Sequence, residues 1–302
     1  MPQNQRDVKN RIASVKNIQK ITRAMEMVAA ARLRRAEQRI SAMRPYADGI
    51  RRMTRQAAEA AGSSDVARLP LLREHDAERS VGLLLVSSDR GLAGAFNSQI
   101  LRAGTRSAAD YAAAGKHVAW YASGRRGVSS LMFRGFHVQG AYTGFTERPS
   151  YADARTIADD ITTAYVDGHV DRVELVYNGY VSPLTQRVAV ETLLPIAQAD
   201  ILEADGSHDE EDPEQGRVNF DYEPDPEGIL RELVPDYVNV SIYRALLESA
   251  ASELGARMTA MRSASDNAGE IITDLTLEMN RARQAEITQE ILEVVAGAEG
   301  VS

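Results

Sequence analysis

The stretch "VSSDRGLAGAFN" (residues 86–97) is the part of the chain best suited to chemistry, because it sets Gly91 and Gly94 between an apolar run and a helix-forming segment. A glycine-bearing turn after a buried strand can cradle a phosphate on the amides of the helix that follows. The pattern matches neither phosphate signature: it is not G-x-x-x-x-G-K-[ST], it contains no G-x-G-x-x-G, and no lysine lies in the loop. The reading that fits better is a tight turn in which Asp89 caps and the two glycines relieve crowding. Ser87 and Ser88 have no local histidine and no G-x-S-x-G context that would make either a nucleophile. Asp159 and Asp160 fall on a predicted helix, where adjacent positions do not face each other. His208 with Asp209 and Glu210 offers at most a weak cation contact in a hydrated loop. With no cysteine, and histidines scattered at 75, 117, 137, 169 and 208, no metal cluster is expected. The expectation is a chain with no catalytic, cofactor or metal site.

The 302 residues carry a net charge of -8, but the charge is segregated. Residues 1–60 hold 14 Lys and Arg against 5 Asp and Glu, whereas residues 203–232 hold 12 Asp and Glu against 2 Arg. Such asymmetry speaks to partners more than the average does. No run approaches 18 apolar residues, so no transmembrane helix is expected. The opening "MPQNQRDVKNRIASV" has no apolar signal core, which argues against secretion, and the lack of cysteine fits a reducing, cytoplasmic setting.

Two long helices are predicted at the ends of the chain. From Arg6 to Ala60 the residues are good helix formers, and Val8, Ile12, Val15, Ile18, Ile21, Met25 and Val28 recur at steps of three or four. Pro45 predicts a kink or a short break. From about Tyr237 to Ala296, the positions Leu254, Met258, Met261, Ser265, Ala268, Ile272, Leu275, Met279 and Ala282 alternate steps of four and three, the heptad period of a coiled coil. A helix of that length spans about 80–90 Å, too long to be buried within one globule. The simplest pairing is antiparallel, helix against helix, over residues 1–60 and 235–302.

Between them, over residues 75–200, strand-like runs at 80–88, 116–123, 136–142, 172–182 and 186–195 alternate with helical stretches. This predicts an α/β domain with a mostly parallel sheet, its last two strands forming an antiparallel hairpin across "PLT". Residues 203–228, dense in acids, Gly and Pro, read as a surface loop, and no internal repeat is present.

On the second long helix "RARQAEITQEILEVV" (281–295) brings Arg281, Arg283 and Gln284 together, and an arginine fork suits carboxylates on a partner protein. Nucleic acid is a poorer partner, given the acidic chain and the lack of stacking aromatics in either helix. Neither helix has the bulky apolar face with Trp or Phe that a membrane-surface helix wants.

The chain resembles the gamma subunit of F-type ATP synthases. "RIASVKNIQKITRAMEMVAAARLRRAEQ" is similar to the family's N-terminal signature, and "MRSASDNAGEIITDLTLEMNRARQA" with "ITQEILEVVAGAEGV" is similar to its C-terminal one. "SSDRGLAGAFN" matches in the middle, and the order of motifs is the family's. The resemblance implies an antiparallel coiled coil joined to a Rossmann-like domain that binds no nucleotide. It implies a non-catalytic rotor turning inside a hexamer of alpha and beta subunits, with epsilon and the membrane c-ring at its foot, on the cytoplasmic side of a bacterial plasma membrane. Carried over by position, Arg23, Met25 and Glu26 would face the acidic loop of beta, and Arg281, Arg283 and Gln284 would engage a beta catch loop. Two departures stand out: "AARL" (30–33) replaces a segment with a polar pair, and the redox cysteines of chloroplast members are absent. The competing expectation is an α/β nucleotide-binding enzyme with dimerising terminal helices, which needs a cofactor loop and convergent polar residues.

Overall fold

The computed structural model describes residues 5–61, 69–75, 77–196 and 225–299. In chain order these form α1 (Gln5–Ala61), β1 (Ser80–Val86), α2 (Phe96–Ala113), β2 (His117–Ser123), α3 (Arg125–Phe133), β3 (Val138–Tyr142), α4 (Tyr151–Val166), β4 (Arg172–Ser182), β5 (Thr185–Leu194) and α5 (Pro226–Glu299). The chain divides into two compact units, residues 32–256 and the pair of segments 1–31 and 257–302.

Within the larger unit the sheet order is β3-β2-β1-β4-β5. The first four strands are parallel and β5 is antiparallel to β4. The chain winds outward from β1 to β3, then crosses back through α4 to place β4 on the other side of β1. This is the doubly wound plan, whose switch point lies between β1 and β4. The apolar run of β1 is buried on both faces. Leu84 and Val86 join a core with α4, the later part of α1 and the start of α5, while Val81, Leu83 and Leu85 join a core under α2 and α3.

Local chemistry sets the helix ends. Ser150 caps α4 by accepting from the amide of Asp153, whose carboxylate accepts from the amide of Ser150 in return, a reciprocal capping box. Gly168 follows α4 with φ of 73°, and its amide and that of His169 close back onto Tyr165 and Ala164. Ser150→Ala should cost about 1 kcal/mol, measured by urea unfolding, and an unchanged midpoint would mean that the box contributes nothing.

Two expectations about the helix limits are corrected. Of the kink or short break expected at Pro45, the break does not occur: α1 runs through it, with Met43, Ala47 and Ile50 on either side anchored in the core and Pro45 itself exposed. Burial of these side chains outweighs a penalty of about 3 kcal/mol for an internal proline. The final helix begins at Pro226, well before Tyr237: Asp225 accepts from the amide of Gly228, and Pro226 occupies the first helical position. Residues 226–228 are therefore helix, and residues 203–224 of the acidic segment lie outside the described residues.

The smaller unit is an antiparallel pairing of the start of α1 with the end of α5. Val8 and Ile12 pack on Leu275, with Val15, Ile272 and Met279 around them. Farther along, Gln19 donates to the carbonyl of Ser265 at 3.3 Å, and Arg262 meets Glu26 at 2.9 Å. The α5 positions expected to face inward do so: from Met261 to Ala282 each is buried or half-buried. On α1 the expected apolar face fails after Val15. Ile18, Ile21 and Val28 are 51, 59 and 51% exposed, while Gln19, Thr22, Glu26 and Ala29 continue the inward face. Val8, Ile12, Val15, Gln19, Thr22, Glu26 and Ala29 alternate steps of four and three. The two consecutive steps of three, from Val15 to Ile18 to Ile21, swing the apolar stripe roughly 100° off that seam.

Candidate functional site

The loop after β1 satisfies its polar groups internally. Ser87 donates to the carbonyl of Ser123 at 2.8 Å and accepts from the amide of Gly127 at 2.8 Å, so its hydroxyl is committed to the start of α3. Gly124, with φ of 93°, has no room for a side chain: a Cβ there would lie 2.4 Å from the Ser87 carbonyl. Ser88 donates to the carbonyl of Arg90, and its amide donates to Asn97. Asp89 accepts from the amides of Arg125, Gly144 and Thr146 and from the Thr146 hydroxyl. Burial alone would raise the Asp89 pKa, but these donors together outweigh it and hold the carboxyl below its usual value. Asp89 does cap a helix, as the sequence suggests, but the helix is α3 rather than the adjacent α2, whose N-cap Ala95 offers no side chain. The Asp89 carboxylate thus supplies the negative charge that the N-terminus of α3 favours.

The switch point between β1 and β4 is filled in the same way. Its occupant is α5: Ser249 accepts from the amide of Asn178, and Ser252 donates to the Asn178 carbonyl, at 3.2 and 3.1 Å. The crevice that would hold a ligand in an α/β sheet of this plan holds a helix instead. A groove of about 400 Å³ lies by the end of α4; it is largely apolar, lined by Leu69, Leu71, Val166 and Val234, with Asp167 and Arg231 also on its wall. Asp159 and Asp160 diverge as expected: Asp160 accepts from the hydroxyl of Tyr142, and Asp159 lies 3.8 Å from Arg155. Among the described residues no group of acids and histidines is placed to hold a metal ion.

The positions marked for partner contact all fall in the smaller unit and form two sets. Arg23 is exposed, Met25 half-buried, and Glu26 half-buried and paired with Arg262. Arg281, Arg283 and Gln284 are exposed on α5, where every described side chain from Arg283 to Val294 is exposed. Because α1 meets α5 with Glu26 opposite Arg262, Arg283 lies 21 residues farther along α5, roughly 30 Å at 1.5 Å per residue. These are two separate contact zones. Sequence reasoning missed the outward stripe of Ile18, Ile21 and Val28 and the pairing of Glu26 with Arg262. Extending the heptad of Val8, Ile12 and Val15 through polar residues was the signal that would have found both.

The family described as ATP synthase matches residues 4–301. The chain is 43% identical to the ATP synthase gamma chain of Rubrobacter xylanophilus over 98% of each. It is 43% identical to that of Kineococcus radiotolerans, over 98% of this chain and 96% of the relative. Among solved structures, a chain of the central stalk and c-ring of the Tetrahymena thermophila mitochondrial ATP synthase is 26% identical, with a TM-score of 0.60 over 81% of this chain and 99% of that one. A chain of the Euglena gracilis mitochondrial enzyme is 18% identical with a TM-score of 0.69, over 98% of this chain and 94% of that one, which bears on the fold alone.

Proposed function

The chain belongs to the ATP synthase gamma-chain family, and from that premise we propose that it is a non-catalytic rotor in the complex. ATP chemistry takes place on beta in this reading, and the terminal helix pair turns within an alpha–beta hexamer while epsilon and the c-ring hold the α/β domain. Functionally, residues 1–60 and 235–302 are the shaft and residues 75–200 the globular part. The observation that carries the non-catalytic reading is the occupied switch point, where Ser249 and Ser252 of α5 stand in place of a ligand. Among the described residues no helix is long and apolar enough to cross a membrane. Attachment at the cytoplasmic face of a bacterial membrane would then come through partner subunits.

Torque is passed at the two zones. Arg281, Arg283 and Gln284 contact the beta catch loop, and Arg23 and Met25 face the acidic beta loop. Glu26 reaches beta only by sharing its ion pair with Arg262. Charge-assisted contacts that form and break in turn bias the conformations of successive beta subunits.

The test mixes this chain with the alpha and beta subunits of the same organism. The chain alone should hydrolyse no ATP, and the mixture should give a complex of one copy with three alpha and three beta that hydrolyses ATP faster. Turnover by the chain alone, or failure to assemble, rejects the reading. Arg283→Ala should assemble normally but turn over about tenfold more slowly, the equivalent of one charge-assisted contact. An unchanged rate would remove Arg283 from the catch contact.

A further inference from the structure

β4 outruns β1. Their pairing ends at Leu85 with Val176, yet β4 continues to Ser182. On its other side β4 stays paired with β5, Asn178 opposite Val188 and Tyr180 opposite Gln186. The backbone groups of Asn178 and Tyr180 that point toward the vacated β1 side need partners, since buried amides and carbonyls are costly to leave unpaired. α5 supplies them. Besides the two serines at Asn178, Glu248 accepts from the amide of Tyr180 at 3.4 Å.

The side chain of Tyr180 then reaches both long helices. Its ring packs against a cluster of Leu33 and Ala36 from α1 and Ala251 and Leu254 from α5, and its hydroxyl donates to Glu37 of α1. The hairpin turn comes equally close to α5: a Cβ on Gly255 would lie 2.9 Å from the Pro183 carbonyl oxygen. These contacts involve the first turns of α1 and the last turns of α5 within the larger unit, whose limits are Arg32 and Ala256. The apolar core beneath the sheet holds the same helices, but burial is non-directional and permits a helix to roll or slide. Hydrogen bonds from one strand to both helices are directional and oppose rolling.

We propose that the β4–β5 hairpin is a collar that fixes the angle of the α1 and α5 segments of the larger unit on its sheet, with Tyr180 as its positioning residue. The proposal deepens the rotor reading and rests on it: the collar keeps torque from being lost as rolling of these α1 and α5 segments on the sheet.

The test uses the whole complex in membrane vesicles, comparing ATP-driven proton pumping with ATP hydrolysis. In Tyr180→Ala the protons pumped per ATP should fall about threefold while hydrolysis stays within about twofold, and Tyr180→Phe, which keeps the ring but removes the hydroxyl that donates to Glu37, should show most of the same loss. A ratio unchanged in Tyr180→Ala overturns the collar, as does a parental ratio in Tyr180→Phe, which would mean that ring burial alone holds the angle. Where Tyr180→Ala does not fold, the double variant Ser249→Ala/Ser252→Ala carries the same test without a large cavity, and the same unchanged ratio overturns it. Hydrogen exchange in the free chain decides independently: the amide of Asn178 should exchange about tenfold faster in the serine double variant, and equal exchange overturns the clamp. If the unmutated chain forms no coupled complex, the rotor reading fails, while that exchange comparison still judges the clamp.

Discussion

Leu275→Ala should destabilise the smaller unit by about 2–4 kcal/mol, while Ile21→Ala, on the facing helix, should change it by less than about 0.5 kcal/mol. Leu275 is 6% exposed and is held between Val8 at 0% and Ile12 at 8%. This cluster is small, so the cavity left by a lost leucine has few neighbours able to close it. Ile21 is 59% exposed and loses little packing on truncation. Hydrogen exchange of the amides in residues 5–31 and 257–294, with far-ultraviolet circular dichroism, reads both effects. Equal losses in the two variants would mean that Ile21 lies in the seam and that the register of Glu26 with Arg262 is wrong. The consequence for function is direct, because a pair that melts near Leu275 cannot transmit torque to the exposed tip.

Asp89→Ala should cost about 3 kcal/mol, because the amides of Arg125, Gly144 and Thr146 lose their common acceptor at once. For the larger unit, residues 32–256, that is a fall of roughly 6–12 °C in melting temperature. The pH dependence gives a separate signature. The folded pKa of Asp89 lies below the usual 3.8, so its contribution is complete above the unfolded value and is lost as pH falls through the folded one. Asp89→Asn should flatten the acid limb of the stability–pH curve below about pH 4. A variant as stable as the parent, with the same acid limb, would show that the loop does not depend on this carboxylate. Assembly at neutral pH should survive in a variant that still folds, since Asp89 is assigned to holding the fold and not to any partner.

Much of this molecule was legible in short-range patterns. The alternation of strand and helix between residues 75 and 200 depends on local periodicity, and each strand forms within two residues of where its apolar run predicts. "PLT" between two β-rich runs leaves only a hairpin as the short solution, and β4 pairs with β5. The heptad of α5 was equally plain, because its small and apolar residues keep step without interruption. The seam of α1 was harder to see. Gln19 and Glu26 are polar, and their place inside follows from what α5 offers opposite them, the Ser265 carbonyl and Arg262, while the Thr22 hydroxyl donates to the Gln19 carbonyl of its own helix. Hydrophobicity therefore pointed to the wrong side of α1 for three turns.

The candidate site divides along the same line. That residues 86–97 lack the groups for phosphate transfer follows from residue types, and so does the weakness of Asp159 and Asp160 as a pair. The occupant of the crevice between β1 and β4 could not be read locally, because the serines that fill it come from 71 and 74 residues later in the chain. Asp89 announced itself as a cap, but the helix it caps starts 36 residues on. By itself the sequence determined the element types, the heptad of α5 and the hairpin, since each depends on neighbours within a few residues. Only the tertiary structure decided which face of α1 is the seam, what fills the switch point and which residues tie the hairpin to both helices. Those depend on groups brought together across long stretches of chain, where an unpaired polar atom takes whatever partner the fold presents.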